Sequence, residues 1–145
     1  MSFRLEESLG YLVRSTMRAL QVRFNQNLSD AGFVTNADEW AILVTLHHND
    51  GQSQQFLGYI THRDKASVTR LVDHLEKRRL VHRVLDPLDR RQKLVHLTAD
   101  GQQHYREVVP VVEKTLREAQ KGIDPMYIKI CKNVLGDVLK NVSGE

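Results

Sequence analysis

A mostly α-helical fold with one small β hairpin is predicted by three features of the 145-residue sequence. Apolar residues recur at helical spacing at both ends of the chain and through its middle. An amphipathic stretch, DKASVTRLVDHLEKRRL, begins at Asp64 and runs without a break into two strand-like segments, VHRVLD and KLVHLT. Those segments flank a basic turn, PLDRRQ. The length is that of one domain, 1–145, large enough for a real core and short of two independent ones. No internal repeat, low-complexity run or interdomain linker divides it.

The elements follow in order. From Leu5 to Leu28, apolar residues at Leu5, Leu9, Leu12, Val13, Met17, Leu20, Phe24 and Leu28 keep one stripe along a long helix, with Gly32 beyond its end. Thr35 with Asp38 three residues on reads as a capping box. The helix it opens places Trp40, Leu43, Val44 and His47 on one face until Asp50-Gly51 stops it. Ser53 is the expected cap of a short helix through Phe56, Leu57 and Ile60, in which Gly58 costs about 1 kcal/mol relative to alanine. The next helix, Asp64 to Arg79, buries Val68, Leu71, Val72 and Leu75 and turns Ala66, Arg70, Asp73 and Lys77 outward. Val81 to Asp86 and Lys93 to Thr98 are the hairpin strands. Thr98 then caps a long helix with an apolar side of Tyr105, Val108, Val109, Val112, Leu116, Ala119 and Ile123, in which Pro110 should introduce a kink. Asp124-Pro125 opens a last helix with the stripe Ile128, Cys131, Leu135, Val138, Leu139 and Val142.

A helix with a polar outer face joined directly to an Arg-tipped hairpin has the order of a winged helix-turn-helix, and the charge agrees. Between Arg63 and Lys93 there are ten Lys or Arg against five Asp or Glu, a net of +5 in a chain whose total is +3. Concentrated positive charge of this kind is the electrostatic footprint of nucleic-acid binding. At the N-terminal end of the Asp64–Arg79 helix the outward residues are small and polar, which lets a backbone approach the major groove while Arg and Lys reach base edges or phosphates. Asp73 and Glu76 oppose phosphate contact unless paired, and Lys77, four residues after Asp73, is the expected partner. The first helix and the last two carry more apolar surface than a small head needs. A second copy is the simplest cover, so the terminal helices are expected to dimerise the chain.

Other classes find little support. No glycine-rich phosphate loop, nucleophile elbow, HExxH or framed carboxylate pair is present, so neither an enzyme nor a cofactor is expected. Cys131 is the sole cysteine, which rules out an intrachain disulfide and a cysteine zinc cage. The seven histidines lack a metal-ligand spacing and read as scattered surface residues, with no metal site expected. Arg4, Glu6, Glu7, Arg14 and Arg18 interrupt any N-terminal apolar stretch, which predicts a cytoplasmic chain without a membrane segment.

The stretch DKASVTRLVDHLEKRRLVHRVLDPLDRRQKLVHLTADG, Asp64 to Gly101, resembles the MarR family of bacterial winged helix-turn-helix regulators. The VTRLVDxLE run, the LVxR after it, the DPxDRR wing and the closing LTxxG fall at the family's spacing. The resemblance implies a homodimer with a winged-helix DNA-binding lobe over 33–100 and dimerisation helices over 1–32 and 101–145. It also implies a sequence-specific regulator, a repressor in the commonest case, on a palindromic operator in double-stranded DNA. Repression in the family is commonly relieved by a small phenolic or carboxylate effector bound between the two regions. Matched position by position, Lys65, Ser67, Thr69 and Arg70 are recognition-helix residues and His74 a candidate phosphate contact. Arg90 and Arg91 are wing arginines, and Asp89 is the acid that braces one of them; Arg63 and Lys93, which bound the basic stretch, are expected DNA contacts as well. Arg79 stands where the family usually has glycine, so a left-handed turn there must be strained or differently built. Tyr11, Trp40, His47 and Phe56 are candidates for the wall of an effector pocket. The alternative reading is a winged-helix module that meets a protein rather than a specific DNA sequence.

Overall fold

The computed structural model describes residues 2–144 and contains six α-helices and a three-stranded antiparallel sheet. A 3-10 turn, Leu5–Glu7, precedes α1, Leu9–Asp30. The predicted single helix from Leu5 is thus broken at Ser8. Its backbone is extended there, and its hydroxyl accepts a hydrogen bond from the N–H of Tyr11, so Ser8 caps the helix instead of lying inside it. At the other end, Gly32 takes a positive φ of 85° and the N–H groups of Gly32 and Phe33 return to Ser29 and Leu28, closing the last turn.

Helix α2, Ala37–His48, is capped by Asn36 rather than by Thr35. The Asn36 carboxamide accepts from the N–H of Glu39 at 2.9 Å, whereas the Thr35 hydroxyl is buried and occupied elsewhere. The buried face of α2 is also rotated from the predicted one. Ile42, Leu43 and Leu46 enter the core, and Trp40, Val44 and His47 lie at its margin.

Strand β1, Gln52–Ser53, has no alternation in sequence to announce it; it pairs with β3 through Gln52 opposite Val95 and Ser53 opposite Leu94. Ser53 then caps α3, Gln54–Thr61, accepting from the N–H of Phe56. Leu57 is the buried residue of α3, whereas Ile60 remains exposed. At Gly58 a Cβ would stand 3.1 Å from the carbonyl oxygen of Arg63 and 3.4 Å from Val68 Cγ2. The cost of glycine in this helix therefore permits α3 to approach α4 closely.

Helix α4, Lys65–Lys77, starts at the cap Asp64, which accepts from the N–H of Ser67 at 2.7 Å. It buries Val68, Val72 and Leu75 with Leu71 packed beside them, as its spacing predicts. Arg79 follows with φ 60°, and the N–H groups of Arg79 and Leu80 return to Glu76 and Leu75. The left-handed turn usually served by glycine is retained with arginine in it. Strands β2, Val81–Leu85, and β3, Lys93–Leu97, pair with Arg83 opposite Val95 and form the hairpin, in the sheet order β1-β3-β2.

Helix α5, Ala99–Ala119, continues through Pro110 and buries Val108, Val111 and Thr115, while Leu116 of the predicted stripe is exposed. Helix α6, Pro125–Ser143, is capped by Asp124 and buries no residue. Two cores result. The larger unites α2, α3, α4 and the sheet around Leu43, Leu57, Val72 and Val95; the smaller joins α1 to α5 through Leu28, Val108 and Val111. Trp40 packs against both.

Candidate nucleic-acid interface

The outward face of α4 and the hairpin turn frame the candidate site. Asp86 builds the turn. It is 8% exposed and accepts from the N–H of Leu88 at 2.8 Å and from the Gln92 carboxamide at 2.7 Å, which folds the loop over its carboxylate. Asp89 adds a second closure, accepting from the N–H and the Nε of Arg91, each at 3.0 Å. The guanidinium of Arg91, then its N–H, holds the Asp89 carboxyl below the usual carboxylate range. Leu88 is 94% exposed between these turns, so the wing tip is presented entirely to solvent.

Between the wing and α3 lies an open cleft of about 940 Å³. Arg63, Lys65, Arg91 and Lys93 line it from the cation side, and Gln54, Gln55, Tyr59 and His62 from α3 and its C-terminal turn. Among the described residues no carboxylate contributes to its lining. The α3 residues escaped sequence reasoning because their side chains carry no charge pattern. Arg63 also borders a second, shallower cleft of about 260 Å³ with Ser67, Arg70 and His74. Arg90 stands exposed at the wing tip and lines neither cleft.

The cations are unequal. Arg63 forms a two-pronged pair with Asp38 of α2 at 2.8 and 2.9 Å. Arg78 pairs with the buried Glu39 at 2.9 Å, and Arg83 is folded against α4 with its side chain 12% exposed. Asp73 meets Arg83 at 2.6 Å rather than the expected Lys77. Among the described residues Lys65, Arg70, Lys77, Arg79, Arg90 and Lys93 have no carboxylate within 4 Å, although the Arg70 charge acts on Asp64 from farther off. Arg91 pairs only within its own exposed turn, an interaction worth little in water. Thr69 is placed at the edge of α4, but its hydroxyl donates to the carbonyl of Lys65 and accepts from Gln54, leaving it well satisfied inside the protein. His74 is exposed and lies 3.9 Å from Glu39.

The four pocket candidates are dispersed. Trp40 and His47 enclose Tyr105 of α5: the Tyr105 ring stacks on His47 at 3.8 Å and on Trp40 at 5.1 Å, each 10° from parallel. Phe56 belongs to α3, and Tyr11 lies 13 residues along α1 from Phe24, the residue that meets Trp40, a separation of about 20 Å.

The MarR family model matches residues 35–93, which span the helices, clefts and wing just described. A putative transcriptional regulatory protein for the hcr operon of Thauera aromatica is 30% identical over 121 residues, covering 79% of this chain and 72% of that protein. The chain belongs to the MarR family. YkoM, an uncharacterized HTH-type transcriptional regulator of Bacillus subtilis, is 29% identical over 90 residues, 62% of this chain; the match spans 58% of YkoM's own length. Among solved structures, BpsR of Bordetella bronchiseptica, described for the regulation of its DNA binding by 6-hydroxynicotinic acid, has a TM-score of 0.83 at 26% identity, over 95% of this chain and 97% of that one.

MarR-family proteins are DNA-binding transcriptional regulators with a winged-helix fold, a class that is not enzymatic. Among the described residues no helix is long and apolar enough to cross a membrane, and no three His, Cys, Asp or Glu side chains are grouped to hold a metal ion.

Proposed function

We propose that this MarR-family regulator binds a palindromic operator as a homodimer, with 33–100 as the DNA-binding lobe and 1–32 and 101–145 as the dimerisation helices, whose outermost residues lie outside those described. The observation that carries this reading is the cleft between α3 and the wing, lined among the described residues by four cations and no carboxylate. In it, the N-terminal end of α4 enters the major groove, with Lys65, Ser67 and Arg70 toward the bases and Thr69 at the helix edge. Arg63, His74 and Lys93 face phosphates, and Arg90 and Arg91 reach the adjacent minor groove. Dimerisation is supported by the unburied α6, where Met126, Tyr127, Val134, Leu139 and Val142 are each at least half exposed, and by Leu9, Leu12 and Met17 of α1. Two lobes related by a two-fold axis place their recognition helices about 34 Å apart, one turn of the duplex.

In this reading the protein is a repressor, and a small phenolic or carboxylate effector acts where the two cores meet, around Trp40, His47 and Tyr105. BpsR, whose DNA binding responds to 6-hydroxynicotinic acid, supports an aromatic acid as the class. Such a molecule acts only through unequal affinity for the DNA-competent and DNA-incompetent lobe spacings.

The test is operator binding as a function of salt, on the duplex selected by the native chain from random-sequence DNA. Affinity should fall steeply with salt, and Arg90→Ala with Arg91→Ala should weaken binding and lower the slope of log K against log[salt], because a cation in the minor groove also displaces condensed counterions, without dissociating the dimer. Binding that persists at high salt would instead mark the wing and helix as a protein-docking face.

A further inference from the structure

Arg83 belongs to the basic stretch but faces inward, between three elements. Its Nε donates to Gln54 of α3 at 2.8 Å, its Nη1 to Glu76 at 2.9 Å and its Nη2 to Asp73 at 2.6 Å, both on α4, with the carbonyl of Thr69 at 3.4 Å. Its own N–H, on the free edge of β2, donates to the second carboxylate oxygen of Glu76 at 3.0 Å. Gln54, held by Arg83, in turn donates to the Thr69 hydroxyl. All three guanidinium nitrogens are thus directed at α3 or α4, and the wing strand is fastened to both.

We propose that Arg83 is a positioning residue for DNA binding: it sets the angle between the wing and α4, so that both can engage one duplex together. The proposal rests on the reading that wing and α4 both touch DNA. A two-stranded hairpin has little stiffness by itself, and β2 is an edge strand. The wing tip lies about five residues beyond Arg83, or roughly 16 Å of extended chain, so a tilt of about 10° at the base moves the tip by about 3 Å, a full hydrogen-bond length. The same interactions neutralise Asp73 and Glu76, two carboxylates on the helix that would face phosphates. Lysine keeps the charge but not the fork, because its ammonium cannot direct planar donors at Gln54, Asp73 and Glu76 at once.

A mutant cycle on the full chain separates positioning from mere structural support. Binding to the selected duplex is measured for the native chain and for Arg83→Lys, each with and without Arg90→Ala and Arg91→Ala, with thermal unfolding recorded for all four. Arg83→Lys should weaken binding about tenfold, and removing the wing arginines should then cost about tenfold less than in the native chain, because a misplaced wing has little left to contribute. General loss of folded protein would reduce all affinities alike and leave the two effects multiplicative; that result overturns the proposal. Full recovery of Arg83→Gln by Asp73→Asn would also overturn it, since charge compensation alone would then account for the effect. If Arg90→Ala with Arg91→Ala changes neither affinity nor salt slope in the native chain, the wing does not touch DNA, and the underlying reading fails before any Arg83 variant is considered.

Discussion

The hydroxyl of Thr35 stands 2.6 Å from Nε2 of His104, tying the segment before α2 to α5 across 69 positions of sequence. Arg78 Nη2 also reaches the Thr35 oxygen, at 3.2 Å. A guanidinium has only donors, so Thr35 accepts from Arg78, and its hydroxyl donates to His104 where the imidazole is neutral with Nε2 unprotonated. The link therefore runs from the end of α4 to α5.

Burial first, then the Arg78 charge, lowers the His104 pKa from its ordinary 6.5, against the weaker raising effects of Glu107 and Glu39. His74 also borders this cluster, 3.9 Å from Glu39. The unfolded chain then binds more protons than the folded one below pH 6.5, so stability contributed by neutral His104 is present above that pH and lost on acidification. Thermal midpoints of the native chain should fall between pH 7 and pH 5, and His104→Gln should show a flatter profile over that interval. Parallel profiles would assign the acid sensitivity to other groups.

Glu118 of α5 accepts from Arg23 at 2.6 Å and from Asn27 at 3.1 Å, both on α1. The Arg23 hydrogen bond, then that of Asn27, holds its pKa at about 2 instead of 4.5. A depressed carboxylate stabilises the fold above its unfolded pKa and ceases to do so as pH falls through the folded one. Acid unfolding of the native chain should thus steepen between pH 4.5 and 2, and Glu118→Gln should lack that component. Circular dichroism at stepped pH reads the difference.

A Cβ on Gly101 would lie 2.0 Å from the carbonyl oxygen of Leu80. That oxygen accepts from the N–H of Thr98, and neither backbone segment can withdraw without breaking the turn into α5. Gly101→Ala should destabilise the chain by about 2–3 kcal/mol, seen as a lower denaturant midpoint. An unchanged midpoint would mean that the turn relaxes freely.

Arg79 holds φ 60° with no carboxylate partner among the described residues. A left-handed residue with a side chain costs about 1–2 kcal/mol, part of which glycine returns as unfolded-state entropy. Arg79→Gly should therefore stabilise the fold by up to about 1 kcal/mol and raise the melting temperature by roughly 3–4 °C. A fall in melting temperature would show that the Arg79 stem contributes packing that outweighs its backbone strain.

What could be read from the chain before folding was local. Ser53, Thr98 and Asp124 each cap their helices through a side-chain oxygen and an N–H two or three residues on, so the signal and its partner share one short window. Thr35 misled for the same reason: the window also held Asn36, and the buried position that removed Thr35 from the competition is made by Arg78 and His104, far along the chain. Strand β1 escaped because two residues carry no periodicity and exist as a strand only through β3.

The stretch from Arg63 to Lys93, by itself, determined that positive charge gathers on one helix and one hairpin, because charge is a property of composition. Which of those charges remain available was decided only by the tertiary structure, which turns Arg78 onto Glu39 and Arg83 onto Asp73 and Glu76 while leaving Lys65, Arg70, Arg90 and Lys93 with no carboxylate within 4 Å among the described residues. The physical reason is range. Helix periodicity and capping are settled between residues a turn apart, whereas an ion pair forms wherever packing brings opposite charges within 4 Å, at any separation along the chain.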